Sequence, residues 1–155
     1  MDELFKKNID FFISKKWYPL LEFLNNKDTD SRIEATLITT KLNESDLLIK
    51  DLLTGESFKL YNTENPRAEW DYIYSDANLD RKSVTVLVGV GLGYELEALV
   101  NHCERDHHIV ALEICSSVFK ASMNCIDYQR LFEIHPNITL IVGPIGYVLD
   151  GVKNF

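Results

Sequence analysis

The chain has 155 residues, 46% of them apolar and 26% charged, with 24 Asp plus Glu against 16 Lys plus Arg and a net charge of −8. A domain of this length hides roughly 70% of its unfolded surface, so the composition describes a folded core and excludes a disordered or low-complexity chain. The negative balance argues against nucleic acid and anionic lipid as partners, and no apolar run approaches the roughly 20 residues that span a bilayer.

The first residues, Met1-Asp2-Glu3, are acidic and precede no short apolar segment of the signal-peptide kind, so a cytoplasmic protein is expected. From Leu4 to Leu24 apolar residues recur every three or four positions (Leu4, Phe5, Ile9, Phe12, Ile13, then Trp17, Leu20, Leu21, Leu24), which predicts helix, divided near Pro19. Six aromatic residues in this stretch, Phe5, Phe11, Phe12, Trp17, Tyr18 and Phe23, exceed what one face can hold. Either core packing plus one domain contact accounts for them, or the chain is an interaction domain. After the polar residues 25–31 the period changes to two at Ile33, Ala35, Leu37 and Thr39, predicting a half-buried strand. Leu47 to Ile49 and Phe58 to Tyr61 are two further strands, and Gly55 between them can take the positive φ of a hairpin turn. Pro66 then opens a helix whose inner side carries Trp70, Ile73, Tyr74 and Ala77. Asp71, Asp76 and Asp80 mark its solvated side.

At Arg81 the pattern changes. Val84 to Val88 is an almost unbroken apolar run, as expected for a parallel strand covered on both faces. Glycines at 89, 91 and 93 follow, then a helical pattern through Leu96, Leu99, Val100 and Cys103. A second apolar strand runs from Ile109 to Leu112, a helical stretch from Val118 to Cys125, and a third strand from Ile138 to Val142. The fold class is therefore α/β: residues 1–80 form helices and a small antiparallel meander, and residues 81–155 a Rossmann-like βαβαβ half of a doubly wound sheet, with strand order 3-2-1. In a complete sheet of this kind the first strand is central, so its far edge needs a cover. The amino-terminal section or a second copy of the chain is the expected occupant, the latter making a homo-oligomer. Cys103, Cys115 and Cys125 are odd in number and lack CxxC spacing, and His107-His108 has no ligand at helical spacing, so reduced thiols and no metal site are expected.

A strand that ends in glycines and turns into a helix gathers backbone N–H groups and the positive helix end at one point, where part of a nucleotide can lie. Glu113, at the end of the second strand, follows Gly93 by 20 residues, the interval at which a carboxylate can accept hydrogen bonds from ribose hydroxyls. Gly89, Gly91, Gly93 and Glu113 are the candidate cofactor-binding residues. Gly91→Val is then expected to close the site while leaving the fold intact. Tyr94 stands where a dinucleotide fingerprint needs a small residue, which disfavours NAD. The spacing is similar to the first motif of class I S-adenosylmethionine-dependent methyltransferases, with Glu113 at the position of their ribose-binding acid. That family usually carries an acid two positions before the first glycine, where this chain has Leu87. Two readings stand: a loop that binds S-adenosylmethionine or a nucleotide, and a tight strand-to-helix turn with a solvated acid beside it. No catalytic residue can be assigned.

Four segments, 60–70 (LYNTENPRAEW), 84–100 (VTVLVGVGLGYELEALV), 110–123 (VALEICSSVFKASM) and 138–144 (ITLIVGP), resemble in order the amino-terminal part of the motility accessory factor (Maf) family. The resemblance implies a bacterial, cytoplasmic protein of surface glycosylation, since Maf proteins are glycosyltransferases that transfer sialic-acid-like nonulosonic sugars from CMP donors to Ser or Thr of flagellin. Their donor-binding and catalytic section lies further along the chain, so this sequence reads as an amino-terminal fragment. Its expected partners are the remainder of the full-length protein and flagellin.

Overall fold

A computed structural model describes residues 3–25, 32–77, 79 and 83–153. Asp80 and Arg81, and most of the polar stretch before the first strand, lie outside them. Helix α1 (Glu3–Ser14) turns Phe11 and Phe12 inward and ends where Lys16 adopts φ 59°; α2 (Tyr18–Asn25) then starts with Pro19 in its first turn, where a missing N–H costs no helical bond. Strands β1 (Ile33–Thr39), β2 (Ser45–Asp51) and β3 (Ser57–Lys59) form the antiparallel meander in the order β1-β2-β3. Its second turn is held by Asp51, whose Oδ1 accepts from the amides of Leu53 and Thr54 at 2.7 and 3.2 Å, with Gly55 at φ 75°. Helix α3 (Pro66–Ser75) is capped by Asn65, whose Oδ1 accepts from the Ala68 amide at 3.1 Å. Trp70 and Tyr74 pack inward from it, whereas Ile73, expected on that side, is 48% exposed. Asp71 and Asp76 are exposed, and Asp71 accepts from His102.

The second sheet is parallel, in the order β4 (Val84–Val88), β5 (His108–Glu113), β6 (Ile138–Val142), which is the 3-2-1 arrangement the spacing predicts. Helix α4 (Tyr94–His102) joins β4 to β5. Two short helices, α5 (Ser116–Ser122) and α6 (Tyr128–Ile134), join β5 to β6, and α7 (Ile145–Val152) follows β6. Neither α6 nor α7 is foreseen from sequence. α6 starts at an Asp127 cap whose Oδ1 accepts from the Arg130 amide, and the two helices are only 7 and 8 residues long.

One face of this sheet, with Leu87, Ile109, Ala111, Ile138 and Val142, meets Leu96, Leu99, Phe119 and Leu131 in a core that continues into α1, α2 and the meander. Phe12 sits at its centre, with ring centroids 5.4 Å from Trp17, 6.1 Å from Phe119 and 5.4 Å from Tyr128. Burying a side chain of this size stabilises by about 1.5–3 kcal/mol. The aromatic surplus of the first helices is thus mostly core, with Tyr18 left 60% exposed. Asn8, fully buried, ties α1 to the α5–α6 connection: its Nδ2 donates to the carbonyls of Met123 and Ile126, and its Oδ1 accepts from the Tyr128 amide, all at 2.9 Å. On the opposite face α7 covers only Val110, Leu112 and Ile141, through Val148. The expectation that β4 is covered on both faces fails here, because Val84, Val86 and Val88 are 56%, 52% and 86% exposed. An apolar run reports which residues avoid water and not whether a neighbouring element reaches them.

Candidate functional site

The turn from β4 to α4 passes through three left-handed backbone positions in five residues, Gly89 at φ 95°, Gly91 at 57° and Gly93 at 86°. Glycine takes that conformation without steric cost, so the glycines satisfy the turn before any ligand is considered. A side chain at Gly93 would collide with Ile126, and one at Gly91 would lie 2.7 Å from Oη of Tyr61. The space over Gly89 is open. The expectation that Gly91→Val leaves the fold intact fails, because both the positive φ and Tyr61 oppose a branched side chain.

Glu113 ends β5 beside this turn and is 4% exposed. Its Oε2 accepts from the Val90 amide at 2.9 Å, and its Oε1 accepts from the amides of Ile114 and Cys115, each at 2.9 Å. Glu113 thus joins the tip of β5 to the glycine loop, and it is a buried strand end rather than a solvated one. Burial pushes its carboxyl above the ordinary value, against the pull of the amides of Cys115, Val90, Ile114 and Gly91. Gly89, Gly91, Gly93 and Glu113 do come together, within one turn.

Residues that sequence spacing does not assign to the loop's binding role complete the surroundings. Tyr61, just after β3, accepts from the Leu92 amide with Oη at 3.0 Å, and burial pushes its phenol well above the ordinary value. Asp46 of β2 holds Tyr61 from behind, its Oδ1 accepting from the amides of Tyr61 and Leu47 at 3.2 and 2.6 Å, while its Oδ2 is buried with no hydrogen-bond partner among the described residues. Tyr94, buried at the start of α4, donates to the Ser45 carbonyl at 3.1 Å, and its phenol is pushed up to about 12, chiefly by burial. The Arg67 guanidinium lies 4.5 Å from the centre of the Tyr94 ring, pairs with Glu97, and donates to the Cys125 carbonyl at 3.1 Å. These contacts strap the meander and α3 over the loop. They join positions up to 58 residues apart, and no local pattern encodes them.

Between the strap and the loop lies a cavity of about 360 Å³ whose walls include Tyr61, Trp70, Gly89, Glu95, Glu113 and Val118. Glu95 accepts from the Tyr74 hydroxyl at 2.7 Å, and burial raises its carboxyl above the ordinary value. The lining holds two carboxyl groups and no Lys or Arg. Negative charge on such walls disfavours a phosphate group. Among the described residues no three His, Cys, Asp or Glu side chains are placed to hold a metal ion, and no helix is long and apolar enough to cross a membrane.

Residues 4–137 match the family model of the glycosyltransferase Maf N-terminal domain. No curated protein and no solved structure gives a significant match. The matched span covers α1 to α6, the meander, the glycine loop and Glu113 and ends before β6, and the chain belongs to the Maf N-terminal domain family.

Proposed function

We propose that this chain is the non-catalytic amino-terminal domain of a bacterial protein glycosyltransferase that modifies flagellin in the cytoplasm and so supports motility. The observation that carries this reading is the family match over residues 4–137, which assigns the chain to the amino-terminal region of a Maf-type glycosyltransferase. A scaffolding role is supported by how the polar groups near the loop are used. Glu113 binds amides, Tyr61 binds the Leu92 amide, and Glu95 binds Tyr74, so each holds the loop or its cover. In this reading the domain's partners are the remainder of the glycosyltransferase and the flagellin acceptor.

The test is sugar transfer to flagellin, read by intact-protein mass spectrometry, with three proteins: the full-length glycosyltransferase, the same protein lacking residues 1–155, and the 155-residue chain alone. Transfer is expected from the first only. A 155-residue chain that transfers sugar by itself would refute the non-catalytic role, and undiminished transfer without residues 1–155 would refute the need for the domain.

A second reading rests on the cavity at the glycine loop. Its acidic, aromatic walls and open side at Gly89 suit S-adenosylmethionine, whose sulfonium and ammonium groups are cationic, better than a nucleotide phosphate. Calorimetry with S-adenosylmethionine and with CMP decides it. Heat with the former, lost in Trp70→Ala, supports a cofactor site at Gly89, Gly91, Gly93 and Glu113, and no heat with either ligand ends the reading.

A further inference from the structure

We propose that the outer edge of β4 is the docking site for a parallel strand supplied by the polypeptide that continues from α7 in the complete glycosyltransferase. This rests on the assignment of the chain as the amino-terminal part of a longer protein. The backbone supplies the first argument. The Ser83 carbonyl accepts from the His108 amide and the Gly89 amide donates to the Leu112 carbonyl, so odd-numbered residues of β4 face β5. Backbone groups alternate sides along a strand, so the N–H and C=O of Val84, Val86 and Val88 point away from β5, and no described strand pairs with them. The same three residues carry the exposed side chains, which gives one edge both an open hydrogen-bonding ladder and a bare apolar surface.

The position of α7 identifies the occupant. Helices α4, α5 and α6 contribute Leu96, Leu99, Phe119 and Leu131 to the core on one face of the sheet, and the chain moves across that face from β4 to β5 to β6. Helix α7 lies on the other face, where Val148 covers Val110, Leu112 and Ile141. Crossovers between parallel strands are right-handed in about 98% of cases, and a right-handed crossover on the opposite face moves across the sheet in the opposite direction. The chain leaving α7 is therefore directed back past β5 to the free side of β4, the one vacant position in that direction. Helix α7 also leaves Ile145, Leu149 and Val152 exposed, a stripe at i, i+4 and i+7 that a further element arriving on this face would cover. A second copy of the chain could also pair with the edge, but nothing in the placement of α7 directs it there. The arriving strand would finish beside Val88 and Gly89, so its following loop would form a further wall of the cavity over the glycine loop.

Amide hydrogen exchange on the 155-residue chain and on the full-length glycosyltransferase tests the proposal. In the full-length protein the amides of Val84, Val86 and Val88 are expected to exchange roughly a hundredfold more slowly than in the 155-residue chain, while the amides of β5 stay protected in both. Val86→Pro removes an outward-facing N–H, which an edge strand tolerates and a central strand does not. It should leave the melting temperature of the 155-residue chain close to its parent. In the full-length protein it should restore fast exchange at Val84 and Val88 and open the chain after α7 to protease. Equal exchange rates at the three valines in both proteins would overturn the proposal. So would protection in the 155-residue chain that rises with concentration alongside a sedimenting dimer, since the occupant would then be a second copy. Sugar transfer by the same full-length sample is recorded separately: a protein that protects the edge but modifies no flagellin refutes the functional reading and leaves the edge assignment standing.

Discussion

Glu113 offers the sharpest test of what the glycine loop is for, because a clamp and a ribose ligand make opposite demands on it. Glu113→Ala removes the acceptor for three amides, those of Val90, Ile114 and Cys115, each now bonded at 2.9 Å. Bonds of this charge-assisted kind are worth about 1.5–3 kcal/mol apiece. Two effects offset their loss. The adjoining cavity lets water reach part of the vacated space, and the cost of burying the carboxylate, visible in its raised pKa, disappears. The net expectation is a destabilisation of about 3 kcal/mol, which for a domain of this size lowers the melting temperature by roughly 6–12 °C. Glu113→Gln keeps one oxygen, which can serve the Ile114 and Cys115 amides, and turns an NH2 group toward Val90. One bond of three is lost, and the expected cost is about 1–2 kcal/mol. Differential scanning calorimetry of both variants at neutral pH, with S-adenosylmethionine titrated into each, gives the order directly. Two variants that melt within a degree of the parent, coupled with loss of S-adenosylmethionine binding that the parent shows, would refute the clamp and restore Glu113 to a ligand-binding role.

Asn8→Ala should be among the most damaging single changes in α1, because one buried N–H and two buried carbonyls lose their partner together. Urea unfolding is expected to show a loss of about 3–5 kcal/mol with an unchanged m value, and a loss below about 1 kcal/mol would mean that the α5–α6 connection rearranges to satisfy those groups. His135 governs an acid-side weakness. Its Nε2 donates to the His107 carbonyl at 2.7 Å, and burial holds its pKa below the ordinary 6.5. A base whose folded pKa is depressed takes up its proton more readily in the unfolded chain. Stability is therefore complete well above pH 6.5 and falls as the pH drops through 6.5 toward the lower folded value. Urea midpoints measured across that interval should decline in the parent and decline less in His135→Gln, whose amide can still donate to the carbonyl. Parallel declines in both proteins would assign the acid sensitivity to other groups.

The order of elements was legible in the sequence because it depends on short-range periodicity. The run from Ile33 to Thr39 sets the span of β1, although Ile33, Leu37 and Thr39 are exposed and do not form the buried side its alternation predicts; three apolar runs separated by helical spacing place β4, β5 and β6, and Pro66 places the start of α3. The approach of Glu113 to the glycine loop was legible too, because in a βαβ unit the ends of adjacent parallel strands lie side by side. What fills the space around them was not. That Tyr61 sits over Gly91, that Ile126 occupies the place of a side chain at Gly93, and that Arg67 and Tyr94 strap the meander down are meetings of residues far apart in the chain. Residue type permits such contacts, and only the packing of two sheets against one set of helices selects them. The direction of the Glu113 carboxylate, toward its own backbone rather than outward, follows from the same packing. The bare side of β4 makes the point in reverse. Val84, Val86 and Val88 are as apolar as Ile109 and Val110 of β5, and their exposure depends wholly on which element lies across them, a property of the tertiary arrangement that hydrophobicity along the chain does not carry.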